Sequence, residues 1–358
     1  MALDSYRNES SPWHMSWIYP HLDLIPKRPL FLCVISNTAT GRIPGVSAAG
    51  TSPDLTYYTP GADAELVEMN RIVTMPELPE TPGGSPTPAI LTRAALSLSG
   101  IQALFVASGL EKKPAVPYAE MGGLPGSDIR KGPAVSDAPA IMERAAIFGR
   151  KLDRLSDVLF IGESIAGGTT TALAVLRALG CSGNVSSSFA ENPVELKEGI
   201  VDAAMKRIGI GTGDLANDPM RAILELGDPM MPAVLGLLRG LSTTKVILCG
   251  GTQLAAVLAL ARSFGIDGDF SIATTKYIAE DRSANFVEIV EDLGRPCYIV
   301  DPGLENSSIP AIRTFAEGYV KEGVGAGGAV LAASLYGVTQ KEIVEATDRV
   351  LMTVELPR

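Results

Sequence analysis

The chain has 358 residues, a net charge of −10 and a pI near 4.9. At ~150 residues per domain, that is one large or two small domains, long enough to bury a sizeable core. The acidic balance argues against a nucleic-acid surface and against anionic membrane, and no apolar run approaches the ~20 residues a membrane span needs. The four cysteines, Cys33, Cys181, Cys249 and Cys297, form no CxxC and have no metal-ligand spacing. Buried thiols in a reducing compartment are the plain reading. The N-terminus shows no basic and apolar signal pattern, so a cytoplasmic protein is expected.

Residues 1–28 are polar and hold both tryptophans and both histidines, His14 and His21, as an N-terminal extension would. From 29 to 358 we expect a single α/β domain with Pro/Gly-rich insertions at 41–88 and 110–133. Residues 30–35, LFLCVI, make a continuous apolar strand that runs into small polar residues, Ser36, Asn37 and Thr38, as at the ligand end of a parallel strand. The segment 41–88 is too dense in proline and glycine for long helices. A loop of that length in a compact domain is functional or disordered. Tyr57 and Tyr58 lie in it among Asp54, Asp63 and Glu65. Flat rings beside carboxylates suit an aromatic base, and a proline-rich surface wrap is the alternative.

A helix is predicted over 87–98, with Pro88 in its first turn, then a strand over 101–106 and an amphipathic helix over 138–155. The stretch 158–180, VLFIGESIAGGTTTALAVLRALG, follows. It reads as strand, glycine loop and helix, the layout that offers backbone N–H groups to an anion. Gly162, Gly167, Gly168 and Thr169 mimic the spacing of a triphosphate loop, but Gly168 stands where that loop has its lysine. A single phosphate held by amides and by threonine hydroxyls fits better, and a tight turn that binds nothing fits as well. Further helices are expected over 193–208, with Asn192 as its cap, and over 230–241. A strand over 245–249 opens into Gly250, Gly251 and Thr252 and a helix over 253–264. Short strands follow at 270–274 and 298–300. A third glycine loop, KEGVGAGG, precedes a helix over 326–336, and Thr339 caps a closing helix over 339–352.

Alternating strands and helices mean a parallel sheet with helices on both faces, a three-layer Rossmann-like α/β fold. The helices after the glycine loops are apolar nearly all round and need cover on their outer sides. A subunit interface, and so a homodimer, is one source of cover; the Pro/Gly-rich segments are the other. No GxSxG or HExxH occurs and no GxGxxG opens the first βα turn, so serine-hydrolase, zinc-protease and dinucleotide readings lack support. Two glycine loops carry a carboxylate, Glu163 and Glu322. Each either faces away as a salt-bridged structural group or takes part in proton or hydroxyl chemistry.

These same residues carry a resemblance. GESIAGGTTTALAVLRAL resembles the GEMGIGNTT-type phosphate loop of the nicotinate-nucleotide:dimethylbenzimidazole phosphoribosyltransferases, and KEGVGAGGAVLAA resembles their GEGTGAALAL motif. CGGTQLAAVLALA is similar in position and character to their DGF-type strand–loop–helix. The segments IPGVSAAGTSPDLTYYTPGADAE and TPAILTRAAL look more like the archaeal and cyanobacterial branch, and the likeness spans roughly 30–350. It implies transfer of phosphoribose from nicotinate mononucleotide to dimethylbenzimidazole or a related azole. Glu322 takes the position of the general base and Glu163 that of the carboxylate near the ribose. The phosphate would lie on Gly162, Ser164, Gly167, Gly168, Thr169 and Thr170, helped by Gly250, Gly251, Thr252, Gly323 and Gly325. Lys197 falls about where the family has a phosphate-side lysine. Lys321 replaces a glycine before the glutamate, and Ala166 and Gly168 replace a glycine and an asparagine. The implied partners are small molecules, with no cofactor and no metal. Two other classes stay open: a nucleotide- or phosphosugar-binding module without turnover, and a P-loop-like kinase, which Gly168 disfavours.

Overall fold

The computed structural model describes residues 16–357, so Trp13 and His14 of the N-terminal extension lie outside the described residues. Along the chain run β1 (Ile18–Tyr19), β2 (Pro29–Ser36), α1 (Thr59–Met69), α2 (Ala89–Ser99), β3 (Ala103–Ser108), β4 (Tyr118–Glu120) and α3 (Ala138–Leu152). Then come β5 (Val158–Ser164), α4 (Gly168–Leu179), α5 (Val194–Ile208), α6 (Pro219–Leu226), α7 (Met230–Gly240), β6 (Lys245–Cys249), α8 (Thr252–Phe264) and β7 (Phe270–Thr275). The last elements are α9 (Lys276–Ala279), α10 (Phe286–Asp292), β8 (Cys297–Val300), α11 (Pro310–Arg313), α12 (Ala326–Ser334) and α13 (Gln340–Thr353). Among the described residues no helix is long and apolar enough to cross a membrane.

The strands form one 8-stranded sheet in the order β1-β8-β7-β6-β5-β2-β3-β4. All neighbours are parallel except β1, which pairs antiparallel with β8. The parallel α/β sheet expected from the sequence is therefore what forms. After β1 at the far edge, the chain enters the middle of the sheet at β2, moves out through β3 and β4, then returns to the other side of β2 at β5. That reversal makes a switch point between β2 and β5, where the crevice of an open parallel sheet lies.

Side chains alternate between the two faces of a strand, so each apolar run feeds two cores. Leu32, Val34, Leu159, Ile161, Val246, Leu248 and Ile272 belong to one. Phe31, Cys33, Ile35, Phe160, Ile247, Cys249 and Ala273 belong to the other. This double burial explains why the strands read as unbroken apolar runs.

The apolar helices are covered within the chain. α12 lies between the sheet and α2, with α13 packed on α2, while α4 and α8 pack on each other and on α5, α6, α7 and α10. Neither a subunit interface nor the Pro/Gly-rich segments are needed for this cover, so these helices lend the expected homodimer no support. Close approach of α12 to the sheet requires glycine. A Cβ on Gly328 would lie 2.0 Å from Cys249 Sγ, and one on Gly162 would lie 2.8 Å from Gly325 Cα.

Three local expectations change. The segment 41–88 contains a regular helix, α1, because Pro60 falls in the first turn, where no N–H is needed, and no breaker follows Gly61. The strand expected over 158–161 continues to Ser164, since Gly162, Glu163 and Ser164 still pair with Cys33, Val34 and Ile35. Asn192 does not cap α5. Its side chain is drawn away to Val185 O, Ser283 Oγ and Lys197 Nζ. Thr339 does cap α13, in a reciprocal box with Glu342.

Candidate active site

A cleft enclosing about 710 Å³, open solvent included, lies where the chain leaves β2 and β5. The turn from β5 into α4 forms its floor, with Glu163, Ser164, Gly167, Gly168 and Thr169. The segment after β2 supplies one wall through Val46 to Ala49, and α1 adds Thr59 and Asp63. Thr81, Ser85, Thr87 and Pro88 form another, and Glu322 and Gly323, just before α12, face them. Parts of the long segment 41–88 thus serve as cleft wall. A smaller chamber of about 310 Å³ shares Glu163, Thr169, Ser187, Ser188, Gln253 and Glu322 with the first and adds Gly251, Thr252 and Lys321.

Four carboxyl groups gather here, each raised from its ordinary pKa by burial first of all. Glu322 is pushed up to about 7. Its oxygens accept from Thr275 N at 3.2 Å and from Gly327 N at 3.1 and 3.3 Å, and these amides hold it back by favouring the charged form. Gly327 is in the first turn of α12, so Glu322 also satisfies an orphan donor of that helix. Glu163, 2% exposed, is pushed higher, to about 8, because the charges of Asp228 and Glu322 add to burial. Asp63 rises to about 6, and so does Asp228. Asp228 lies behind the floor, where it accepts from Thr171 Oγ1 at 2.6 Å and from Met230 N at 3.1 Å at the start of α7. A pair whose environments separate its pKa values can divide acid and base roles. Both carboxyls are raised toward neutral pH, and as neighbours they titrate as a pair.

Lys321 does not bridge to Glu322. Its Nζ donates to Ser187 O at 2.8 Å and Phe189 O at 2.9 Å and pairs with Asp281 at 3.3 Å. Lys197 Nζ donates to Ser186 O at 2.7 Å and Asn192 Oδ1 at 3.0 Å, and burial lowers its pKa to about 7. Val320 N donates to Ser188 O at 3.1 Å. Two buried lysines thus fasten the loop Ser186–Ser187–Ser188 against the smaller chamber.

Of the residues expected from the sequence, Glu322, Glu163, Ser164, Gly167, Gly168, Thr169, Gly251, Thr252 and Gly323 line the cleft or its side chamber. Gly162, Gly325, Gly250, Thr170 and Lys197 do not. Gly162 and Gly325 are packed on each other beneath α12, and Gly250 sits against Leu254. Thr170 is fully buried, and Lys197 is spent on the serine loop. Arg313 donates to Ser307 O, away from Glu322. Tyr57 and Tyr58 line neither chamber. They lie under Arg42 and Lys112 at 4.6 and 5.2 Å. Asp54 pairs with Arg42 at the surface, and Glu65 accepts from Val73 N, Thr74 N and Ala115 N as a structural anchor. Sequence reasoning missed Asp228, Gln253, the serine loop and the use of Lys321. Only the Asp228-Pro229 pair ahead of an apolar helix carried a local signal, that of a helix start.

A parallel α/β sheet, a two-chamber cleft over its switch point and glutamates beside glycine turns define the class: an α/β protein with a cluster of buried carboxyl groups at a candidate site. Its fold is similar to that of two solved proteins from Thermus thermophilus. One is nicotinate-nucleotide-dimethylbenzimidazole phosphoribosyltransferase, with TM-score 0.55 and 18% identity over 88% of this chain and 84% of that one. The other is CobT, with TM-score 0.56 and 19% identity over 91% and 84%. The resemblance drawn from the glycine turns therefore holds in the fold. No protein-family model matches the chain. The chain belongs to the UPF0284 family. It is 49% identical over 333 residues to the UPF0284 protein of Methanosarcina mazei, covering 92% of this chain and 95% of that one. It is 43% identical over 334 residues to that of Methanothermobacter thermautotrophicus, covering 91% and 93%.

Proposed function

We propose that the protein transfers phosphoribose from nicotinate mononucleotide to an azole base, releasing nicotinate. The observation that carries this is the pairing of Glu322, with its pKa near 7, and Glu163, with its pKa near 8, where the two chambers meet. The phosphate is assigned to the smaller chamber. There the first residues of α4 and α8 present helix N-termini, and Thr252 Oγ1 is buried without a protein partner. Lys321 has its donors engaged within the protein, so it contributes position and field rather than a free hydrogen bond.

The chemistry follows from the groups. The ring nitrogen of nicotinate mononucleotide is cationic, so the C1′–N bond breaks with its electron pair returning to the pyridine, which leaves neutral. No Lewis acid is required for such a departure. The transition state resembles an oxocarbenium ion, which the carboxyl groups stabilise. One azole nitrogen bonds to C1′, and the proton on the other must go to a base. A carboxylate with a pKa near the working pH suits that step, and we assign it to Glu322. Glu163, still protonated, donates to the ribose hydroxyls.

Incubation of the protein with nicotinate mononucleotide and a panel of azoles, followed by assay of free nicotinate, tests this. Acceptor-dependent release is expected. Tight binding of nicotinate mononucleotide without release under any acceptor would refute turnover and leave a binding module.

A further inference from the structure

Asp63 is a buried carboxylate without a cation. It is 2% exposed. Oδ1 accepts from Thr87 Oγ1 at 2.6 Å and Oδ2 accepts from Ser164 Oγ at 2.7 Å. Among the described residues it makes no ion pair. Two neutral hydroxyls fill about half of the lone-pair sites of a carboxylate. Buried charge left in this state is costly unless something completes it. Asp63 lines the large chamber.

The cleft is polarised. The cation Lys321 and the N-terminus of α8 belong to the small chamber, which Asp63 does not touch. A ligand with its phosphate there and its ribose at Glu163, where the chambers join, places its base in the large chamber. The base meets apolar wall at Val46, Ala48 and Ala49. Besides Glu322 and Glu163, the fully buried anion it meets is Asp63, carried by α1; Glu80 also lines this chamber but is only half-buried.

We infer that Asp63 selects the acceptor: the azole carries an N–H or O–H donor on its fused ring, which the free acceptor sites of Asp63 receive. The choice of ligand rests on the transferase reading above. A ring edge bearing only methyl groups would leave the carboxylate uncompensated, and that loss is the source of discrimination. The pKa of Asp63, about 6, leaves it mostly ionised at neutral pH, as an acceptor must be.

The test compares 5-aminobenzimidazole with 5,6-dimethylbenzimidazole on the wild-type protein, on Asp63→Asn and on Asp63→Leu. Binding is measured by titration calorimetry, alongside nicotinate release and affinity for nicotinate mononucleotide. A hydrogen bond to a charged group is worth ~10-fold or more in affinity. The wild-type protein should therefore favour the amino compound by at least ~10-fold. The preference should collapse toward unity in a folded variant. Equal or better binding of the dimethyl compound to wild type overturns the inference. So does a preference that survives in the folded variants, or a loss confined to nicotinate mononucleotide binding. Failure of the transferase reading is seen separately, as an acceptor preference in binding without nicotinate release.

Discussion

Glu322→Gln separates the chemical and structural jobs of this residue. The glutamine keeps the volume of the side chain and can retain one of the amide bonds from Gly327 N and Thr275 N. Its NH2 group then faces the other amide, at a cost of ~1–3 kcal/mol. An opposite effect nearly offsets this. The carboxyl of Glu322 is raised from 4.5 to about 7. A raised folded-state pKa gives stability that is complete below the unfolded value and is lost as pH rises through 7. Above pH 7 the ionised group therefore costs roughly 3.5 kcal/mol, at ~1.4 kcal/mol per unit, which the neutral glutamine escapes. At pH 8 the melting temperature of the variant should stay within a few degrees of wild type. Turnover should fall ~10²-fold or more, the span of a lost general base. The wild-type kcat/KM should rise with pH through about 7 and fall above about 8, both limbs belonging to the coupled pair. The variant should lose the rising limb. Nicotinate release and thermal melting on the same samples decide it. An unchanged rate with a lowered melting point would refute the assignment of Glu322 as base.

Three further outcomes follow from the same geometry. The raised carboxyls mean that stability carried by Glu163 is complete below its unfolded value of 4.5 and is lost as pH rises through about 8; Glu163→Gln should flatten the fall between pH 5 and pH 8 by up to ~1.4 kcal/mol per unit in denaturant titrations, and an unaltered slope would count against a protonated Glu163. Gly162→Ala puts a Cβ 2.8 Å from Gly325 Cα, so it should cost ~1–3 kcal/mol and lower kcat by displacing the loop that carries Glu322; a wild-type melt would show that the two glycines can part. Lys321→Met leaves Asp281 buried without its partner, so stability should drop by ~3 kcal/mol and KM for nicotinate mononucleotide should rise, while adding Asp281→Asn should recover much of the stability but not the KM. Gly167→Val is a poor probe of phosphate binding, because its Cβ would lie 2.3 Å from Gly41 Cα and the turn itself would shift.

The sheet and the floor of the site are legible in consecutive residues. Apolar runs buried on both faces, glycine turns at their ends and a carboxylate beside two of those turns are local patterns. That is why Glu163, Glu322, Gly167 and Thr169 can be placed from the chain alone. Tertiary structure settles what consecutive residues do not encode. Asp63 and Ser164 meet from positions 101 apart in the chain, and Lys321 and Ser187 from positions 134 apart. Whether a lysine serves a ligand or a backbone carbonyl depends on which loop folds over it. Lys197 and Lys321 are drawn into fastening the serine loop for that reason. Cover of the apolar helices is likewise a question of which helices pack outside them, and α2, α5, α6 and α7 supply it from the same chain. The pKa values of the carboxyl cluster are tertiary as well, since burial and neighbouring charge set them, and neither is a property of a residue within its own segment.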